Sequence, residues 1–166
     1  MKTTMKTLAV TLTLLTGAAA NADSKSSAAA ARADVQKTFG FVPQFILRMP
    51  DAAMPGLWEE LKSLQLNPGT ALPGKTKELI GLGVSSQIPC RYCIVAHTEF
   101  AKLNGATDAE INEAVAMAAL TRNASTMLNG LQVDESQFKK DIDRLVKGAR
   151  NAQKASTKSR ETALAR

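Results

Sequence analysis

From Asp51 onward, apolar residues return every third or fourth position, and no segment alternates apolar with polar in the way a strand requires. Met54, Leu57, Trp58, Leu61 and Leu64 make one such series, and Phe138, Ile142, Leu145 and Val146 make another. Breaks fall where helices must end: Asn67-Pro68-Gly69, Pro73-Gly74, Pro89 and Asn104-Gly105. The pattern predicts an all-α chain. Asp51 is expected to cap a helix through Leu64, and Lys75–Ile88 to form a mostly apolar helix whose Gly81 and Gly83 permit close helix contact. A further helix is expected from about Cys90 to Leu103. Thr107-Asp108-Ala109-Glu110 reads as a capping box opening a helix to about Leu128, and Asp134 as the cap of a last one. Phe39 to Ile46, broken by Gly40 and Pro43, is expected to pack as a turn. Trp58 and the methionines are expected in the core.

The ends read differently from the middle. Residues 1–22 have a basic start (Lys2, Lys6), an apolar stretch from Leu8 to Leu15 and small residues at Ala20-Asn21-Ala22. These are the marks of a cleavable signal peptide cut after Ala22, and the apolar stretch is shorter than the roughly 20 residues a membrane span needs. The protein is therefore expected in the periplasm or secreted. Residues 23–38 are a low-complexity lead-in, frayed or partly helical, 39–150 the folded domain, and 151–166 a basic tail too poor in apolar surface to order itself.

Removing Lys2 and Lys6 from the 21 basic residues leaves 19 against 15 acidic, a net +4. Six of those basic residues lie in the last twenty positions, so 23–146 carry 13 basic and 14 acidic groups. The folded part is not basic, which removes the electrostatic footprint that nucleic-acid binding needs. The helix from Thr107 is apolar over more than one face, which points to a homo-oligomer.

Chemistry concentrates in Cys90-Arg91-Tyr92-Cys93-Ile94-Val95-Ala96-His97, which holds both cysteines and the one histidine of the chain. On a helix, Cys90, Cys93 and His97 lie along one stripe. A thiol at a helix start meets free amides and the positive end of the dipole, both of which favour the reactive thiolate. A staple between distant segments is not what a two-residue separation provides, since closing so short a loop constrains the unfolded chain little. Structural zinc needs four ligands, and neither a third cysteine nor a second histidine exists, so no metal is assigned. Glu78, twelve residues before Cys90, is placed to fold back against the cysteines as a proton-exchanging group. Tyr92 is a candidate donor to the same site.

Glu78 followed by Cys90-x-x-Cys93-x-x-x-His97 resembles the signature of the alkyl hydroperoxidase D (AhpD)-like proteins of the carboxymuconolactone decarboxylase superfamily. The likeness runs from about Gly40 to Lys147, with Gly40-Phe41-Val42-Pro43 upstream and Asn104-Gly105-Ala106-Thr107-Asp108-Ala109-Glu110-Ile111 downstream. It implies an all-helical bundle assembled as a homotrimer or homohexamer, acting in antioxidant defence as a thiol-dependent peroxidase or disulfide oxidoreductase without a cofactor. It also implies that Cys93 meets a hydroperoxide and becomes a sulfenic acid, that Cys90 resolves it into an intramolecular disulfide, and that His97 and Glu78 relay protons. Two departures stand out. Some members carry His where this chain has Tyr92, and the better-known ones are cytoplasmic and reduced by a lipoyl-bearing partner, from which a leader would separate this chain. Its reductant is thus left as an unidentified thiol protein. Two other readings remain: a lactone-processing enzyme on the same fold, which would not need the redox pair, and a non-catalytic helical oligomer with a structural disulfide.

Overall fold

The computed structural model describes residues 8–164, and the side chains of 23–158, 160 and 161. Seven α-helices and one short π-helix account for it, with no strand among the described residues: α1 Leu8–Phe39, α2 Gln44–Leu47, α3 Met54–Glu60, a π-helix Leu61–Gln65, α4 Gly74–Gln87, α5 Arg91–Leu103, α6 Asp108–Gly130 and α7 Glu135–Leu164. None of these helices is long and apolar enough to cross a membrane.

Two apolar clusters organise the molecule. In the first, Ala28, Ala31 and Val35 of α1 meet Ile46, Met54 and Trp58. The small alanines let α3 approach closely, and Phe39 packs edge-on against Trp58 at 5.8 Å. Across this seam Asp34 accepts from Trp58 Nε1 and from Lys62 Nζ, both at 2.8 Å. The lead-in at 23–38 is therefore a continuous helix with core residues, because its alanines have a partner surface to bury against. Asp51 does not cap α3, which begins at Met54 after an uncapped Ala53; its carboxylate instead binds Arg32 of α1 at 2.7 Å. The expected turn at Phe39–Ile46 is a Gly40 kink with φ +82 followed by the one-turn α2.

In the second cluster, Leu82 of α4, Ala101 of α5 and Ile111 of α6 form the centre, with Leu79, Ile94, Ala106 and Ala114 around it. The capping box is present in full: Thr107 Oγ1 accepts from the Glu110 amide, and Glu110 Oε2 accepts from the Thr107 amide. Lys75 of α4 reaches Glu110 Oε1 at 2.7 Å and ties the starts of α4 and α6 together. At the other end of α4, Arg122 of α6 donates to the Gln87 carbonyl at 2.9 Å, and the Gln87 amide donates to the Ala118 carbonyl.

Asp134 caps α7 through the Gln137 amide at 2.7 Å. This helix continues through the tail to Leu164, where a disordered segment was expected. Its described side chains are exposed throughout, so no burial accompanies the helix there. Trp58 and Met54 are buried as expected, whereas Met117 and Met127 are more than half exposed on α6.

Candidate active site

α4 ends and α5 begins within four residues. The Cys90 amide donates to the Ser85 carbonyl at 3.0 Å, which folds the chain back so that α5 runs beside α4. Cys90 is the N-cap of α5, and its sulfur accepts from the Cys93 amide at 3.2 Å. The two cysteines form a disulfide with a Cα–Cα distance of 5.3 Å. One turn further along the same stripe stands His97.

Opposite that stripe lies Glu78, whose side chain is 3 % exposed against 23 % for His97. His97 Nδ1 is 2.7 Å from Glu78 Oε2. A buried carboxylate needs several donors to replace water, and a second is supplied from outside α4 and α5. Gln65 Nε2 lies 3.0 Å from Oε1 and 3.2 Å from Oε2.

The imidazole comes this close because Gly81 has no side chain. A Cβ built there would stand 2.6 Å from Nδ1 and 2.7 Å from Nε2 of His97. The glycines of α4 signal close helix contact in the sequence, but nothing there shows that the contact at Gly81 is with the histidine. Gln65 has no sequence signal: it lies thirteen residues before Glu78, across a loop with two Pro-Gly breaks.

Of the expected site residues, the structure thus joins Glu78 to His97 and Cys90 to Cys93. It does not bring Tyr92 in. The Tyr92 side chain points outward, 76 % exposed, under the Arg91 guanidinium at 5.3 Å. A residue one position before Cys93 lies off the stripe that faces α4. Among the described residues, no group of three or more His, Cys, Asp or Glu side chains converges on a metal site.

The family model of carboxymuconolactone decarboxylases matches residues 52–135, half of the chain and all of this site. The chain belongs to the carboxymuconolactone decarboxylase family. Within that family, its fold is AhpD-like. The crystal structure of an alkylhydroperoxidase AhpD core from Rhodospirillum rubrum superposes with a TM-score of 0.58 at 29 % identity, covering 72 % of this chain and 91 % of that one. No curated protein matches the sequence. Family, fold and a Cys90–Cys93 bridge together give a carboxymuconolactone decarboxylase-family protein with a CxxC disulfide.

Proposed function

We propose that this protein is a thiol-dependent peroxidase and disulfide oxidoreductase, cycling between the Cys90–Cys93 dithiol and its disulfide. The observation that carries this reading is a buried carboxylate held against the one histidine of the chain, on the stripe that bears both sulfurs. A lone CxxC bridge needs no such pair, whereas a thiol that must lose and regain protons does.

In the proposed cycle His97 takes the Cys93 proton, and the thiolate attacks the terminal oxygen of a hydroperoxide. The O–O bond breaks, Cys93 becomes a sulfenic acid, and the departing alkoxide takes the proton back and leaves as alcohol. The Cys90 sulfur then attacks the Cys93 sulfur, the Cys90 proton passes to the departing hydroxide, and water leaves as the disulfide forms. Two electrons and two protons from a dithiol protein restore the start. Glu78 holds the imidazolium while it exists.

Cys93→Ser is expected to abolish dimedone-reactive sulfenic acid, and Cys90→Ser to accumulate it or trap a mixed disulfide. Undiminished labelling in Cys93→Ser removes Cys93 from this role. Lactone turnover surviving loss of both cysteines would favour the other chemistry of the family.

The same reading has the protomers assembled as a trimer or hexamer and exported, with a mature start at Asp23. Exposed Met117, Leu120 and Met127 on α6 support the assembly, as does the apolar groove lined by Ile80, Val84 and Ala118. Leu120→Glu is expected to lower the mass seen by light scattering to that of one chain; an unchanged mass places the contact elsewhere.

A further inference from the structure

Nothing in the cycle above uses Gln65, yet no other amide in the described structure contacts Glu78. We infer that Gln65 is a positioning residue that sets the tautomer of His97, and that the π-helix exists to put it there. This rests on the proposed role of the Glu78–His97 pair and extends it to a residue on a third segment.

The first part of the argument is geometric. From Leu61 the backbone widens, so that the Leu66 amide reaches the Leu61 carbonyl at 2.9 Å instead of the carbonyl one residue later. One extra residue in the turn rotates everything after it by about 100° relative to an α-helix. Gln65, the last π residue, is turned toward α4 as a result. Two consecutive α4 residues hold the segment. Lys77 Nζ donates to the carbonyls of Leu64 and Asn67, both at 2.7 Å, one on each side of Gln65, while Glu78 receives the Gln65 amide. Lys77 satisfies carbonyls that the widened turn leaves free, so the irregular backbone is fixed and not merely tolerated.

The second part is chemical. An amide shared between both oxygens is strongest toward an ionised carboxylate, which accepts at each, and the inference assigns Glu78 that form. His97 Nδ1 must then be the donor in the 2.7 Å contact. The proton sits on Nδ1, and Nε2 is the nitrogen that exchanges with thiol or alkoxide. Without Gln65, Glu78 loses the contact that pins both of its oxygens, and its orientation toward Nδ1 is no longer fixed.

His97 being the only histidine, the test is direct. Full-length protein labelled with 15N-histidine is examined by long-range proton–nitrogen correlation with the disulfide intact, then reduced. The wild type is expected as the Nδ1–H tautomer with a strongly downfield Nδ1 proton. Gln65→Met and Gln65→Leu, which keep most of the volume but remove the donor, are expected to lose that resonance and mix the tautomers. Both are expected to form the disulfide with cumene hydroperoxide about tenfold more slowly, the worth of one hydrogen bond to a charged group. A wild type in the Nε2–H form overturns the inference. So does an unchanged imidazole spectrum in the variants. If Gln65→Met does not fold, Gln65→Leu carries the comparison alone. If wild-type thiols ignore the hydroperoxide, the peroxidase reading falls, while the tautomer comparison still decides the role of Gln65.

Discussion

Asp34 and Glu78 do the same job in outline: each is a carboxylate that joins separate segments through two donors. Asp34 sits at the rim of the α1–α3 seam, 37 % exposed, with Lys62 and Trp58 as partners. Glu78 sits between α4, α5 and the π-helix, 3 % exposed, with Gln65 and His97. The partners of Asp34 hold their protons at neutral pH, so its contact is a fixture. One partner of Glu78 is an imidazole, which can carry its proton on either of two nitrogens. Burial removes water as a competitor, and under the proposed cycle the contact steadies an imidazole whose other nitrogen exchanges protons with the thiol. Among the described residues, the α4–α5 region is where a buried carboxylate meets an imidazole.

Removing each carboxylate's charge should separate the two regions most strongly. Glu78→Gln is expected to slow hydroperoxide-driven disulfide formation about a hundredfold, the scale on which losing one preorganised electrostatic partner slows a reaction. Asp34→Asn is expected to leave that rate unchanged and lower the melting temperature slightly, as exposed ion pairs do. Equal rate losses in both variants would erase the distinction.

Gly81→Ala probes how the imidazole is seated. The added methyl meets the His97 ring, so the ring must leave its contact with Glu78. The expected cost is about 1–3 kcal/mol in chemical unfolding, with a rate loss approaching that of Glu78→Gln. A variant with wild-type rate would show that the ring does not depend on α4 for its position.

Acid titration gives the smallest effect. Hydrogen bonds from Lys62, then from Trp58, hold the Asp34 carboxyl below its ordinary value of 3.8. A depressed carboxyl stabilises the fold fully above its unfolded value and loses that contribution as pH falls through the lower folded one. Trp58, the single tryptophan, should therefore report a change in fluorescence only below about pH 3.8, and Asp34→Asn should lack that step.

Much of this was legible in the chain itself. The period of the apolar residues gave the helical class, and Thr107-Asp108-Ala109-Glu110 and Asp134 marked two helix starts as they stand in the structure. Cys90, Cys93 and His97 share a stripe because their spacing is local, and local spacing survives folding. Asp51 has the local signature of a cap, but its partner, Arg32, lies nineteen residues away on another helix. The alanines at 28 and 31 look featureless until α3 lies against them. Gln65 was invisible for a deeper reason: a π-turn is a change of register imposed by tertiary contacts, and no residue in Leu61–Gln65 announces it.

The site has contributions from three segments that meet only after docking: an amide from the π-helix, a carboxylate from α4, and an imidazole with two sulfurs from α5. A chain in which these segments have not docked carries both cysteines but lacks the Glu78–His97 contact. Under the proposed cycle, such a chain is a poor reactant toward hydroperoxides, and competence arrives with assembly.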